Sequence, residues 1–375
     1  MSRFAKPALL AFIFFTVPAA AFAAVGASRV DGTWKKVSAA PITVDDSLTS
    51  VWTGKQLLVY GRHNSEEVAA GYDPAANSWT KFATPDERAP AWGYRAVWTG
   101  KEMLVWSPFG SEALNPTAKT WRRVRGSLPG GIIVWTGREA IGWGGGCCGD
   151  ARSDGAAYNP RTDVFRKLAR GPLAPSQEPM GAWDGRELLL YVSGLNPDGK
   201  RYPTRLARAA AYNPSTNHWR RIAPAPASGG TAVWDGHELL LIAAGTRAQQ
   251  AFAYRPATNR WRRLASLPTT RRGPTAIWTG HHVLVWGGEN ARGTGPVRDG
   301  VAYDPAMNRW TAIPRSPLRP RDGATVAWTG RSLIVWGGTV GTPVGTSIPP
   351  KHLADGAMFT PSARAMDASD GMCGG

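Results

Sequence analysis

Val51-Trp52-Thr53-Gly54-Lys55-Gln56-Leu57-Leu58-Val59-Tyr60 is the stretch that decides the fold of this 375-residue chain. A β-branched run reaches a tryptophan, a Thr-Gly pair turns the chain, and an apolar run leads back. The glycine supplies the positive φ that a tight turn between two strands demands. Trp-Thr/Asp-Gly returns at Trp98, Trp135, Trp183, Trp234, Trp278 and Trp328, with an average spacing of 46 residues from Trp52 onward. Seven copies at that period predict a propeller with one copy per blade.

A second hairpin follows each copy. Tyr-Asp/Asn-Pro occurs at Tyr72, Tyr158, Tyr212 and Tyr303, with variants at Leu114, Tyr254 and Phe359. Seven positions after the first six of these stand Trp79, Trp121, Phe165, Trp219, Trp261 and Trp310. Asx-Pro opens the turn, and Asn77, Asn217, Asn259 or Asn308 can close it in the left-handed region. Each unit therefore holds four strands, a to d. The seventh unit ends after its third strand, at Phe359-Thr360-Pro361. Its fourth strand is expected from the other end of the chain, where Gly32-Thr33-Trp34-Lys35-Lys36-Val37 matches Trp121-Arg122-Arg123-Val124. A ring fastened this way leaves only short, protected edges.

These units resemble kelch repeats. The tyrosine and tryptophan separated by six residues match that family, as do the paired glycines at Gly144-Gly145, Gly287-Gly288 and Gly337-Gly338. The other four blades carry Tyr60-Gly61, Ser107-Pro108, Val192-Ser193 and Ala243-Ala244 instead. The resemblance covers nearly all of residues 32–361. It implies an all-β, seven-bladed kelch-type β-propeller, its last blade closed by the N-terminal strand. Kelch propellers include copper oxidases resembling galactose oxidase, and sugar epimerases. No residue here matches the oxidase's copper motifs, so no metal ligand is carried over and no cofactor is expected.

The N-terminus reads as a secretory signal over residues 1–23. Arg3 and Lys6 precede the apolar run Ala8 to Val17, and Ala21-Phe22-Ala23 gives the small-x-small cleavage site. An uncleaved anchor is the alternative. The propeller then spans residues 24–361 and a tail spans 362–375, in a protein expected to be secreted or periplasmic. No later run is long enough for a membrane helix, so no membrane insertion is expected after cleavage.

Gly 44, Pro 30 and Trp 18 fit many short strands and turns. The repeat accounts for seventeen tryptophans, in the a–b turns, on the outer strands and on strand b, as packing between blades. The net charge of +17 becomes +15 without Arg3 and Lys6. Arg-Arg follows Trp121, Trp219 and Trp261, Lys-Lys follows Trp34, and Arg-Lys follows Phe165. These cations are expected on exposed outer edges around the disc, where positive charge deters edge pairing. Spread in this way they do not form a groove for nucleic acid, which is not expected as a partner.

What remains once the repeat is subtracted lies on the b–c loops and the d–a connections, which share one face. The b–c loops vary most in length, and function on a repeat scaffold concentrates where the repeat varies. Aligning the a strands exposes departures near the channel mouth: Asp46, Trp92, Tyr94, Arg95, Glu178, Arg272 and Asp322. Such residues can stack on a sugar ring and hydrogen-bond its hydroxyl or carboxylate groups. Alternatively they pair with one another and plug the channel. Of the six histidines only His63 and His352 reach this face, and they read as surface residues rather than a copper pair. Cys147, Cys148 and Cys373 are disulfide candidates, either tying the tail to one of the pair or joining the neighbours. The favoured reading is a non-catalytic module binding a carbohydrate or a protein. Its rival is a carbohydrate-active enzyme, oxidase- or epimerase-like, with Arg95, Glu178 and Asp322 as polar groups.

Overall fold

In all seven Trp-Thr/Asp-Gly turns the glycine sits at φ between 87° and 99°, and strands a and b leave it antiparallel. The threonine or aspartate before it caps the turn. Thr53 Oγ1, for example, accepts from the backbone N–H of Gln56 at 2.9 Å, and Asp184 Oδ1 from that of Glu187 at 2.6 Å. The c–d turns close at Asn77, Lys119, Asp163, Asn217, Asn259 and Asn308, all left-handed with φ of 47–58°.

The computed structural model describes residues 30–85, 93–107, 110–146, 150–195, 199–201, 203, 206–227, 229–243, 249–290, 292, 295–340 and 351–362, with only the backbone at Asp46. The expected signal peptide, Trp92, all three cysteines and nearly all of the tail therefore lie outside the described residues.

Seven four-stranded antiparallel sheets form the blades, each ordered a-b-c-d. Blade 1 comprises Asp46–Trp52, Leu57–His63, Glu66–Asp73 and Ser78–Phe82. Blade 2 comprises Arg95–Trp98, Met103–Ser107, Gly110–Asn115 and Thr120–Val124. Blade 3 comprises Ile132–Trp135, Ala140–Trp143, Gly155–Asn159 and Val164–Lys167. Blade 4 comprises Met180–Trp183, Leu188–Tyr191, Ala209–Asn213 and His218–Arg221. Blade 5 comprises Gly230–Trp234, Leu239–Ala243, Ala251–Arg255 and Arg260–Arg263. Blade 6 comprises Thr275–Trp278, Val283–Trp286, Gly300–Asp304 and Arg309–Ala312. Blade 7 takes Thr325–Trp328, Leu333–Trp336 and Gly356–Pro361 from the end of the chain and Gly32–Lys36 from its beginning. Trp34 faces Phe359 and Lys35 faces Met358 across that last pair. The a strands of successive blades touch around the whole ring, and the seventh meets the first. The chain is a seven-bladed propeller, closed as its repeat predicts.

Aromatic side chains fasten blade to blade. Strand b buries Tyr60, Trp106, Trp143, Tyr191, Trp286 or Trp336 in six of the seven blades. Trp336 stacks against Trp79 of the next blade at 5.1 Å, and Tyr191 against Trp261 at 5.2 Å. Six outer-strand indoles donate to a backbone carbonyl of the preceding blade's connection. These are Trp34 to Pro314, Trp79 to Ser38, Trp121 to Ala83, Trp219 to Ala169, Trp261 to Ala223 and Trp310 to Ala265. Four turn asparagines receive both their own blade's tyrosine hydroxyl and the preceding connection's backbone N–H, as Asn217 does from Tyr212 and Ala169.

The outer-strand cations need a correction. They are not all edge charges, because alternate residues of a strand face opposite ways. Arg122, Arg166, Arg220 and Arg262, the first of each pair in blades 2 to 5, turn back over their own blade. They meet Glu102, Glu139, Glu187 and Glu238 at 2.5–2.7 Å. Arg122 and Arg166 also donate to Tyr158 and Tyr212 of the next blade. In blades 2 to 5 only the second cation of each pair remains to guard the edge, whereas Lys35 and Lys36 of blade 7 are both exposed.

Glu238 is the most enclosed of these acids, its side chain 5% exposed between Arg262 and Arg255. Burial alone would push its carboxyl up, but the two guanidinium groups outweigh burial and hold it below the ordinary value. A depressed carboxyl stabilises the fold above its unfolded pKa of about 4.3 and loses that contribution as pH falls through the folded value. Glu238→Gln is therefore expected to cost about 1–2 kcal/mol at neutral pH, since both arginines are half exposed. In urea unfolding that cost should shrink towards zero below about pH 4. A cost that does not change with pH would mean the charge is not what matters.

Candidate functional site

At the end of the ring bearing the b–c loops, a cavity of ≈ 560 Å³ opens across blades 2 to 5. Arg95, Gln177, Glu178, Met180, Ser193 and Leu195 line it, with Gly131, Gly229 and Gly230 between them. Gly230 has no room for a side chain. Its φ is 139°, and a Cβ there would collide with the Ile242 carbonyl oxygen. The backbone thus forms the wall at that point and leaves the volume free.

Arg95 opens strand a of blade 2, where the other blades have Thr, Ile or Met. It is exposed, and its Nη1 donates to the Tyr94 carbonyl at 3.2 Å. Glu178 stands two residues before strand a of blade 4 and is also exposed. Among the described residues, neither Arg95 nor Glu178 has an ion-pair partner. The beginnings of two non-adjacent blades therefore hold an unpaired cation and an unpaired anion around one space. Gln177 is fixed by its Nε2, which donates to the Asp150 carbonyl. Met180 and Leu195 add apolar surface, and Leu195 is more than a third exposed. A guanidinium donates, a carboxylate accepts, and Ser193 can do either. The set suits a ligand carrying hydroxyl groups and an acidic group on a small apolar body.

The other expected mouth residues are placed elsewhere. Tyr94 is buried, its hydroxyl donating to Glu67 at 2.9 Å and its ring set edge-on to Tyr60 at 4.9 Å. Burial, and then the Glu67 carboxylate, push its phenol well up. Adjacent strand residues point to opposite sides, so with Arg95 at the cavity Tyr94 serves the seam between blades 1 and 2. Arg272 is exposed and pairs its backbone with Glu289 in a short ribbon on blade 6. Asp322 is exposed on blade 7, its backbone N–H bonded to the Thr339 carbonyl at 2.9 Å. Asp46 begins strand a of blade 1 opposite Arg62. Among the described side chains, Tyr94, Arg272 and Asp322 are not part of this lining. Gln177 is the lining residue that alignment brought into view without being selected, since it holds the same position before its tryptophan as Trp92 and Arg272.

His63 sits 3.2 Å from Asp45 through Nδ1, and His352 pairs its backbone with Thr339. Among the described residues, no three His, Cys, Asp or Glu gather where they could hold a metal ion.

No protein-family model matches the chain, and no curated protein matches its sequence.

Proposed function

We propose that this chain is an exported binding propeller of the kelch type, and that its channel mouth takes a carbohydrate bearing an acidic group. The observation carrying this reading is that Arg95 and Glu178, neither with an ion-pair partner among the described residues, line the same cavity of ≈ 560 Å³. The kelch type is supported by the paired glycines, where Gly144, Gly287 and Gly337 adopt φ of 68–71° and Gly145, Gly288 and Gly338 adopt φ of 83–96°. Export is supported by the leader of residues 1–23, with residues 24–361 as the propeller and 362–375 as a tail. The module is read as non-catalytic, and its rival is a carbohydrate-active enzyme with Arg95, Glu178 and Asp322 as its polar groups.

A thermal-shift series against glucose, galactose and their uronic acids tests this, using the chain from residue 24, Arg95→Ala and Glu178→Gln. A sugar at a hundred times its dissociation constant should add about 2.7 kcal/mol to the stability of the unmodified chain. Losing one charge-assisted contact of about 1.5–3 kcal/mol should weaken the uronic acid tenfold or more in Arg95→Ala. Equal shifts in all three proteins would move the site to the b–c loops. No shift with any sugar would abandon the carbohydrate for a protein ligand.

A further inference from the structure

The opposite end of the ring carries a second pattern. Five positions separate each turn tryptophan from the first residue of strand b in all seven blades, and five separate the end of strand c from the start of strand d in blades 1 to 6. Among the described residues these turns are short and of one length, and in blade 7 the place of the c–d turn is taken by the two ends of the described chain, next to Gly32 and Pro361.

The residue after the turn glycine is basic in every blade: Lys55, Lys101, Arg138, Arg186, His237, His281 and Arg331. All seven are exposed. The acids near them are engaged. Glu102, Glu139, Glu187 and Glu238 are held by the strand-d arginines. Asp184 and Asp235 cap their own turns, as Asp73 and Asp304 do between strands c and d. Asp163 accepts from the Tyr158 hydroxyl. Lys119 and Arg161 add positive charge on the c–d turns.

Two apolar side chains break the repeat on this same face. Val164 starts strand d of blade 3 and is 55% exposed, where the other blades have Ser, Thr, His or Arg. Met307 lies in the c–d turn of blade 6 and is 48% exposed, where the others have Ala or Thr. Between blades 3 and 4 a cavity of ≈ 600 Å³ opens here, with Val164 and Trp183 in its wall beside Arg138, Arg186 and the Arg166–Glu139 pair.

We propose that this face docks on an anionic lipid bilayer, with the cavity between blades 3 and 4 receiving a lipid phosphate. The five lysines and arginines of this ring, with Lys119 and Arg161, complement the surface potential of anionic lipids. Exposed valine and methionine gain from the acyl boundary and gain nothing from a hydrated polyanion. These two exposed apolar side chains favour a bilayer over a soluble polymer.

Vesicle co-sedimentation of the chain from residue 24 tests this, since that chain keeps every described residue and drops the apolar leader. It should bind vesicles containing phosphatidylglycerol, ignore those of phosphatidylcholine alone, and release as salt rises. Lys101→Glu/Arg138→Glu/Arg186→Glu should cut partitioning by about a hundredfold or more, because each basic side chain near such a surface contributes about fivefold. The matching change on the outer edges, Lys81→Glu/Arg123→Glu/Arg263→Glu, alters net charge equally and should leave partitioning within a few-fold. Val164→Ser/Met307→Ser should lower the fraction that stays bound in high salt. Unfolding midpoints check that each variant is folded. Equal losses in the two charge variants would overturn the proposal. So would retention on dextran sulfate without binding to vesicles.

Discussion

Deleting residues 1–37 should abolish the cooperative unfolding transition and leave a chain that aggregates. The deletion removes the fourth strand of blade 7 and its five residue pairs from Gly32↔Pro361 to Lys36↔Ala357. Backbone pairs contribute about 1 kcal/mol each, and burying a residue such as Trp34 contributes about 3 kcal/mol. The total approaches the whole stability of an ordinary domain, about 5–15 kcal/mol. It also uncovers Gly356–Pro361 as an unpaired edge with Phe359 on it. Trp34→Ala is the graded version. It loses the contact with Phe359 and the bond to the Pro314 carbonyl, and should cost about 3 kcal/mol while the ring stays closed. Urea unfolding followed by tryptophan fluorescence reads both. A truncated chain with the full chain's midpoint and slope would show that the closing strand contributes nothing.

Arg321→Met is expected to cost nearly as much from a single side chain. Arg321 is 0% exposed just before strand a of blade 7. Its Nη1 donates to the carbonyls of Gly337 and Asp355, and Nη1 and Nη2 both reach the Asp355 carboxylate. Methionine fills much of the volume but leaves the carbonyls of Arg319, Gly337 and Asp355 without their donor, while the half-exposed Asp355 carboxylate turns to water. An enclosed acceptor left without its donor costs about 1–3 kcal/mol, so three such carbonyls bring the loss to several kcal/mol. Arg321→Lys should recover little, because an ammonium cannot reproduce the planar fork. Arg271 repeats the arrangement in blade 6 with Gly287 and Asp299, but its closest carboxylate contact is 3.4 Å. Burial pushes its guanidinium down despite Asp299, so Arg271→Met should cost less. Midpoints in the order wild type, Arg271→Met, Arg321→Met would fit this account, and the reverse order would refute it.

The two arginines hold Asp299 and Asp355, the aspartates that stand directly before strand c in blades 6 and 7. Much of the architecture was legible because it is periodic. Trp-Thr/Asp-Gly marked the a–b hairpins, Tyr-x-Pro marked the c–d turns, and Trp34 marked the closing strand. The inward turn of Arg122, Arg166, Arg220 and Arg262 was missed because an arginine on an outer strand carries no sign of which side it faces. A signal existed all the same. Blades 2 to 5 have glutamate before strand b and arginine after the strand-d aromatic, whereas blades 1, 6 and 7 have Gln56, His282 and Ser332 with Thr80, Thr311 and Lys35. The two positions change together.

Part of the candidate site is legible in the sequence: Arg95 and Glu178 each depart from their aligned positions, and both line the cavity. Tyr94 adjoins Arg95 in sequence, but strand parity sends the two side chains to opposite sides. Arg272 and Asp322 occupy the right end of the ring but blades 6 and 7, and alignment alone does not say which blades a cavity will span.

The closing strand also sets an order of events. Strand d of blade 7 leaves the ribosome first, and strand c, its partner, leaves among the last. Blades 1 to 6 can form as local hairpins while synthesis continues, but the ring cannot lock until the final strands arrive. Loop-closure entropy for that single joint is met at the end rather than spread along the chain. Until then the first strand is a free ribbon and the nascent solenoid has two open faces. The finished molecule differs from an open array of repeats, which frays from its ends: its two chain ends are held in one sheet, so the seam made last guards the whole circle.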